Sequence, residues 1–376
     1  VARLGGDEFV VVIEESDGEG RVGRVIQRLF SCVGRYYTIG EYETYVTWSC
    51  GVVVYPRDGD DVHSLLKHAD TAMYAAKSQG PNHFAFYDAE MSAQVGEQLA
   101  LRDELRLALA RGQLEVYYQP IVDAQSGRVR SAEALLRWNH PDRGLLSPSQ
   151  FISVAEQSGL INPIGEWVLR QALRMVSSWR RDGAADDVTV HVNVSAHQLK
   201  QPGFVERVQG ALREVGLPSQ TLELEMTESA LIEDGARTGG LLAALGKIGV
   251  KIALDDFGTG FSSLSYLKTL PVDTIKVDKS FIDDLPAAGR DGALVESILT
   301  LGERLGNRIV AEGVESSVQV VWLVSHGCRF LQGYHFSRPV PLDRFMAVTD
   351  TCFAIPVALG RPYRSEPVEL STEAAD

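Results

Sequence analysis

The spacing of hydrophobic positions changes several times along the chain, and the changes divide it into segments. Near the start, Arg3-Leu4-Gly5-Gly6-Asp7-Glu8-Phe9 runs into Val10, Val11, Val12 and Ile13, which predicts a tight Gly-Gly turn feeding a buried strand. A helical stretch over about 20–35 follows, then a strand from Tyr45 to Tyr55, a helix from Val62 to Ser78 stopped at Gly80, and a strand near His83–Tyr87. This is an α+β pattern. Between about Ala89 and Arg111 the period is helical again, with Leu101, Leu105, Ala108 and Leu109 on one face and Gly112 as a stop, so a linker helix is predicted over 89–112.

From Leu114 onward the chain shows eight strand-like runs: Leu114–Val122, Val129–Trp138, Val188–Ser195, Thr221–Ser229, Lys251–Phe257, Thr274–Asp278, Arg308–Val314 and Arg329–Phe336. Most later gaps hold an amphipathic stretch, at Ile164–Arg181, Phe204–Val215, Thr238–Ile248, Gly292–Leu305 and Ser317–His326. The link between the first two runs, Asp123 to Arg128, is too short for a parallel crossover, so that pair is expected to be antiparallel. The alternation predicts an α/β fold: a TIM-like (β/α)8 barrel with an antiparallel first strand over 113–350, preceded by an incomplete α+β domain over 1–88. An open doubly wound sheet is the competing arrangement. Residues 351–376, rich in Pro, Ser and acids, read as a disordered tail.

Composition narrows the function classes. The 376 residues are 45% hydrophobic and 23% charged, ordinary for a globular protein. No apolar run reaches the roughly eighteen residues needed to cross a bilayer, and the chain begins at Val1 with no basic-then-apolar leader. The expectation is no membrane contact from this stretch and a cytoplasmic location, as a free protein or as the cytoplasmic part of a longer, membrane-anchored parent. A formal charge of -14 opposes binding to a nucleic acid polymer but leaves room for a small phosphate ligand held by metal ions. Cys32, Cys50, Cys328 and Cys352 show no metal-type spacing and read as reduced thiols. His63, His68 and His83 also lack metal spacing, and Tyr117, Tyr118 and Trp138 read as core.

The candidate chemistry lies in polar residues placed within or just after the apolar runs: Glu133, Asn193, Glu225, Asp255 with Asp256, Glu312 and Gln332, joined by the cation Lys276. Burying a lone carboxylate costs several kcal/mol or more, so acids on successive strands are expected to share a partner. Barrel strand ends converge on one mouth, and a hard divalent cation takes oxygen ligands of this kind.

Two resemblances sharpen this reading. Arg3 to about Asp88, including Ala69-Asp70 through Ala76-Lys77, resembles the GGDEF family, diguanylate cyclases that join two GTP into cyclic di-GMP. The resemblance implies that Asp7 and Glu8 help hold metal. The family's first strand and helix, with a further metal-binding Asp, and its inhibitory RxxD would lie before Val1. Its Lys-x-x-Gly-Arg-Asn reads Lys77-Ser78-Gln79-Gly80-Pro81-Asn82 here, which replaces a phosphate-contacting Arg by a residue with no donor. A truncated remnant without cyclase activity is therefore expected, with apolar sheet surface left uncovered.

Glu133-Ala134-Leu135-Leu136-Arg137-Trp138 resembles the signature of the EAL family, the cyclic di-GMP phosphodiesterases, and the match runs from about Leu101 to Phe345. Tyr118-Gln119-Pro120-Ile121, Asn193-Val194-Ser195, Glu225-Met226-Thr227-Glu228-Ser229, Asp255-Asp256-Phe257-Gly258-Thr259-Gly260, Ile275-Lys276-Val277-Asp278, Ala311-Glu312-Gly313-Val314-Glu315 and Gln332-Gly333-Tyr334 support it in order. The resemblance implies hydrolysis of cyclic di-GMP to linear 5'-pGpG by two-metal-assisted attack of water, with Mg2+ or Mn2+. Glu133, Asn193, Glu225 and Asp255 would hold one ion, and Asp255 with Asp256 and Glu312 the second. Glu312 and Lys276 would orient or deprotonate the water and Gln332 would position it. Glu228 would fix the loop from Asp256 to Ser263, and Glu315 would support the site from behind. Gln119 would meet a guanine edge, Leu135 would contact substrate, and Arg137 would grip a phosphate with its guanidinium fork. The family resemblance also implies a homodimer through this domain. The competing readings are a catalytically silent cyclic di-GMP receptor signalling through the linker helix, a cyclase, and another metal-dependent barrel such as an enolase-like lyase.

Overall fold

The computed structural model describes residues 1–14, 19–33, 36–39, 42–78, 82–183, 187–232, 235–258, 270–286 and 290–355. The chain forms two compact units, Val1–Asp103 and Glu104–Asp376, and the division falls inside the helix Ala89–Ala108. Among the described residues no helix is long and apolar enough to cross a membrane. Most of the expected tail, residues 356–376, lies outside the described residues.

In the first unit β1 (Ala2–Gly5) and β2 (Glu8–Val10) form an antiparallel hairpin. Gly6 turns it at φ +53°, a conformation that favours glycine, and the Arg3 guanidinium donates to the Gly6 carbonyl at 2.7 Å. A helix, α1 (Glu19–Val33), precedes a second antiparallel pair, β3 (Tyr36–Ile39) and β4 (Tyr42–Tyr45). Then β5 (Cys50–Val52) and β6 (Phe84–Phe86) pair in parallel across α2 (Val62–Ser78).

Two expectations fail in this unit. The strand expected to be buried from Phe9 onward ends at Val10, and Leu4, Phe9 and Val12 are 57%, 63% and 86% exposed, because the hairpin stands as a two-stranded sheet. The expected strand Tyr45–Tyr55 is broken, and its two ends belong to different sheets. The break has a packing cause: the Trp48 ring lies 4.2 Å from that of Phe30 on α1, and residues 46–49 leave the strand conformation.

The second unit holds β7 (Leu114–Asp123), β8 (Arg128–His140), β9 (Gly144–Leu146), β10 (Thr189–Asn193), β11 (Leu222–Thr227), β12 (Lys251–Phe257), β13 (Thr274–Val277), β14 (Arg308–Ala311) and β15 (Phe330–Gln332). Eight of them close a barrel in the order β7-β8-β10-β11-β12-β13-β14-β15 and back to β7. The β7 strand runs antiparallel to both neighbours and the rest are parallel. Pairing of β10 with β8 closes the ring, which excludes the open doubly wound sheet. The helices Ile161–Arg181, Phe204–Val215, Gly235–Lys247, Arg290–Leu305 and Ser317–Ser325 lie where amphipathic periodicity predicts them. The hairpin strand β9 and the short helices Ile152–Gln157, Ala196–Leu199, Glu228–Ile232 and Lys279–Ile282 span too few residues to produce a readable period.

Strand alternation sorts the core. Ala132, Ala134, Leu136 and Trp138 of β8, Val190 and Val192 of β10, and Leu222, Leu224 and Met226 of β11 are all buried. Each large side chain of this kind is worth about 1.5–3 kcal/mol. Phe345 is fully buried too, with its ring 5.6 Å from Tyr118 and 5.4 Å from Trp179. The intervening positions are polar: Ser131 and Glu133, Thr189 and His191, Glu223 and Glu225, Thr274 and Lys276, every one of them buried. A (β/α)8 interior is usually packed with branched aliphatic side chains; this one is lined with charge.

After β15 the backbone at Gly333 passes against Val314, whose N–H donates to the Gln332 carbonyl at 3.0 Å. A Cβ on Gly333 would lie 2.1 Å from the Val314 oxygen, and backbone cannot give way there. Gly333→Ala is therefore expected to destabilise the second unit by about 2 kcal/mol or more, read as a lower denaturant midpoint. An unchanged midpoint would refute the close approach.

Candidate active site at the strand ends

Lys276 on β13 is 1% exposed and sits among four carboxylates. Its Nζ lies 2.6 Å from Glu312 Oε1, 2.9 Å from Glu225 Oε2, 3.2 Å from Asp255 Oδ1 and 3.5 Å from Glu133 Oε2. Burial works to strip its proton, but Asp255, Glu133, Glu225 and Glu312 outweigh burial and hold the ammonium well above the ordinary lysine pKa. One ammonium has three protons and cannot satisfy four carboxylates. The surplus shows in Glu225 and Glu312, whose carboxyls are pushed well above the carboxylate range by burial and neighbouring acids despite Lys276.

Two consecutive acids reach this cluster through a backbone irregularity. The register between β12 and β13 slips after Leu254, so that Leu254 pairs with Ile275 but Phe257 pairs with Val277. The extra residue is a bulge, and Asp256 within it adopts φ +53°. Successive side chains of a regular strand point to opposite faces. Here the bulge lets Asp255 and Asp256 both turn toward Glu312, and ligand oxygens of the three lie within 4.8 Å of one another. Burial and the Asp255 charge push the Asp256 carboxyl up.

Glu133 on β8 is held by amides. Its Oε1 accepts from Asn193 Nδ2 at 2.8 Å and its Oε2 from Gln332 Nε2 at 2.6 Å. Burial raises its pKa, but Lys276 and the two amides outweigh this and keep it below the usual glutamate value. Gln332 Nε2 also donates to Gln119 Oε1 at 3.1 Å, while Gln119 Nε2 donates to the Ser337 carbonyl at 3.1 Å. Gln119 is thus engaged at both ends of its amide and buried, and Gln332 Oε1 is buried without a hydrogen-bond partner.

The remaining expected residues are farther from the centre. Arg137 is half-buried on β8, 5.6 Å above the Tyr117 ring, with Nη1 donating to the Leu136 carbonyl at 2.8 Å. Leu135 lies two residues from Glu133 on the same strand face and pairs in register with Tyr117. Glu315 binds Lys279, whose stem crosses over Gly313 beside Glu312. Glu228 is buried at the start of its helix. The loop it is expected to fix lies largely outside the described residues, as do Gln79 to Pro81 of the first unit.

Sequence reading passed over His191 and Glu223. The His191 Nδ1 and Glu225 Oε1 share a hydrogen bond of 2.8 Å, the His191 Nε2 faces Glu223 Oε2 at 3.5 Å, and His191 and Glu223 are fully buried. Burial drives the imidazole pKa down to about 4. The missed signal is the two-residue period: His191-x-Asn193 and Glu223-x-Glu225 repeat polar residues on one face of buried strands. A separate cavity of about 380 Å³, lined by Lys251, Thr274, Arg308 and Phe330 among others, opens at the opposite strand ends and does not contain the acids described here.

Residues 102–339, which carry these strands, match a known family, EAL domain. The chain belongs to the EAL domain family. Residues 1–83 match the family Diguanylate cyclase, GGDEF domain. Two curated relatives come from Pseudomonas aeruginosa. The bifunctional diguanylate cyclase/cyclic di-GMP phosphodiesterase MucR is 43% identical over 347 residues, covering 92% of this chain and 50% of MucR. The cyclic di-GMP phosphodiesterase NbdA is 41% identical over 343 residues, covering 91% of this chain and 43% of NbdA. The chain spans about half the length of the curated relatives it matches. Among solved structures, the PaMucR phosphodiesterase in its c-di-GMP complex is 45% identical with a TM-score of 0.63, covering 65% of this chain and 99% of that one. The EAL enzyme Bd1971 in its cAMP- and cyclic-di-GMP-bound form is 35% identical with a TM-score of 0.66, covering 68% of this chain and 70% of that one. In this EAL domain the Glu-Ala-Leu tripeptide is β8 backbone, with Glu133 turned to Lys276 and Ala134 buried as its alternate.

Removing the central ammonium leaves buried like charges facing one another. Lys276→Met is expected to cost about 3–5 kcal/mol at neutral pH without divalent cations, seen as a lower melting temperature. An unchanged melting temperature would show that Lys276 does not hold the acids together.

Proposed function

We propose that the EAL unit hydrolyses one phosphodiester bond of cyclic di-GMP to give linear 5'-pGpG, using two divalent cations, Mg2+ or Mn2+. The observation that carries this reading is the excess of carboxylate oxygens around the single Lys276 ammonium. Oxygen ligands at converging strand ends suit hard cations. Glu133, Asn193, Glu225 and Asp255 would hold one ion, and Asp255, Asp256 and Glu312 the other. Bound there, the ions would neutralise phosphate charge and lower the pKa of water.

The protein's own groups supply the rest. In the reaction a water oxygen bonds to phosphorus, the bond from phosphorus to one bridging ribose oxygen breaks, and that oxygen leaves with a proton. Lys276, held as an ammonium, donates hydrogen bonds and does not act as the base. Glu312, which lies 2.6 Å from the Lys276 ammonium at the strand end, takes up the water proton. Gln332 Oε1 accepts a hydrogen bond from that water, since its Nε2 is committed to Gln119 and Glu133. Arg137, with donors beyond the one given to Leu136, takes a phosphate oxygen at the mouth. Gln119 acts chiefly by orienting Gln332, and it offers a guanine edge only the spare lone pair of its carbonyl. The names of MucR and NbdA, and the c-di-GMP complex of the PaMucR structure, support the same substrate. The first unit is read as a GGDEF domain without cyclase activity, because Pro81 stands where a phosphate-contacting Arg is required.

Purified chain incubated with cyclic di-GMP and Mg2+ or Mn2+ is expected to give a linear dinucleotide on chromatography, and none after chelation of the metal. Binding without cleavage would convert the reading to a receptor, and cyclic di-GMP made from GTP would refute the assignment of the first unit. Glu133→Ala is expected to lower kcat/KM by on the order of a thousandfold with unchanged circular dichroism; retained hydrolysis would mean the site is misassigned. Ca2+ is expected to inhibit, because its larger, looser coordination shell misplaces the water, and full activity with Ca2+ would count against the mechanism.

A further inference from the structure

We propose that His191 is a positioning residue, and that its Nδ1–H sets which oxygen of Glu225 faces the cation site. The inference rests on the metal-dependent reading above. His191 does not touch the acids gathered around Lys276 apart from Glu225, and no step of the hydrolysis uses it. Yet it is completely buried in the barrel. Strand register places it beside Glu133 on β8 and Glu223 on β11, two residues before Asn193 on the same inward face.

The bond from Nδ1 to Glu225 Oε1 is 2.8 Å, and Glu225 Oε2 is left 2.9 Å from Lys276. The terminal torsion of a glutamate is soft and nearly two-fold, so an unpinned carboxylate would sample other rotations. One hydrogen bond at Oε1 removes that freedom. A Glu225 holding a cation is ionised and can only accept, so the imidazole must be the donor.

Glu223 and Arg308 lie behind the ring. Glu223 Oε2 lies 3.5 Å from His191 Nε2 and 3.6 Å from Arg308 Nη1, and Glu223 is fully buried. A buried carboxylate costs several kcal/mol unless partners offset it. The Arg308 guanidinium, reaching in from the opposite strand ends, offsets the Glu223 charge, whereas His191 Nε2 makes no hydrogen bond, so the single imidazole proton is left for Glu225. In metal sites generally, a partner that orients a ligating side chain is worth about 10–100-fold in metal affinity.

The test is calorimetric titration of Mn2+ into the full chain, in wild type and in His191→Leu, His191→Asn and His191→Gln. Asparagine can place an N–H near the position of Nδ1, whereas glutamine reaches toward Nε2 and leucine donates nothing. Mn2+ affinity is expected to fall roughly 10–100-fold in His191→Leu, to fall similarly in His191→Gln, and to recover most of its value in His191→Asn. The Mn2+ concentration for half-maximal hydrolysis is expected to rise in parallel, with little change in the KM for cyclic di-GMP. Equal affinity in wild type and a folded His191→Leu would overturn the role. If the leucine variant fails to fold, equal affinities in the asparagine and glutamine variants would overturn it. A wild-type chain that binds no Mn2+ would instead remove the metal reading itself and this inference with it, which separates the two failures.

Discussion

The second unit is organised around one electrostatic constraint: a buried ammonium that must be shared among more carboxylates than it can satisfy. Lys276 and the four acids around it come from five strands or strand ends of the barrel. None of these groups could be buried alone at tolerable cost. Together they require that β8, β11, β12, β13 and β14 end at one level and face inward there. The apolar faces of the same strands, turned outward, supply the burial that offsets this polar interior. The barrel is held by its outer layer, and its inner layer is free to carry chemistry.

Placing the side chains falls to local backbone devices. The bulge at Asp256 turns two neighbouring acids to one side, which a regular strand forbids. Gly333 brings backbone onto Val314 and so fixes Gln332, whose amide joins Gln119 to Glu133. Gly313, at φ +67°, leaves space for the Lys279 stem, and Glu315 holds the end of that lysine. Glu315 therefore acts on the loop after Glu312 through Lys279. Each device is a short motif whose spacing is visible in sequence but whose purpose is visible only with the neighbouring strand present.

The first unit shows the opposite balance. Its hairpin carries the apolar run that a buried strand would have, yet Phe9 and Val12 are exposed, and among the described residues no third strand pairs with the two. The run at Tyr45–Tyr55 has strand-like composition, but Trp48 finds a better partner in Phe30 and divides it. In both cases the residues have the right preference, and the outcome was set by what lies beside them.

Read alone, the sequence determined the strand and helix order of the barrel, its antiparallel opening pair and the acids and amides that line its mouth. These follow from period, spacing and the cost of burying charge, all of which are local. Tertiary structure decided that Lys276 is the centre and not a snorkelling surface residue, that Gln119 is spent on Gln332, and that His191 and Glu223 stand behind Glu225. Those outcomes depend on register between strands far apart in sequence, and a shift of one residue would have turned every such side chain to the other face.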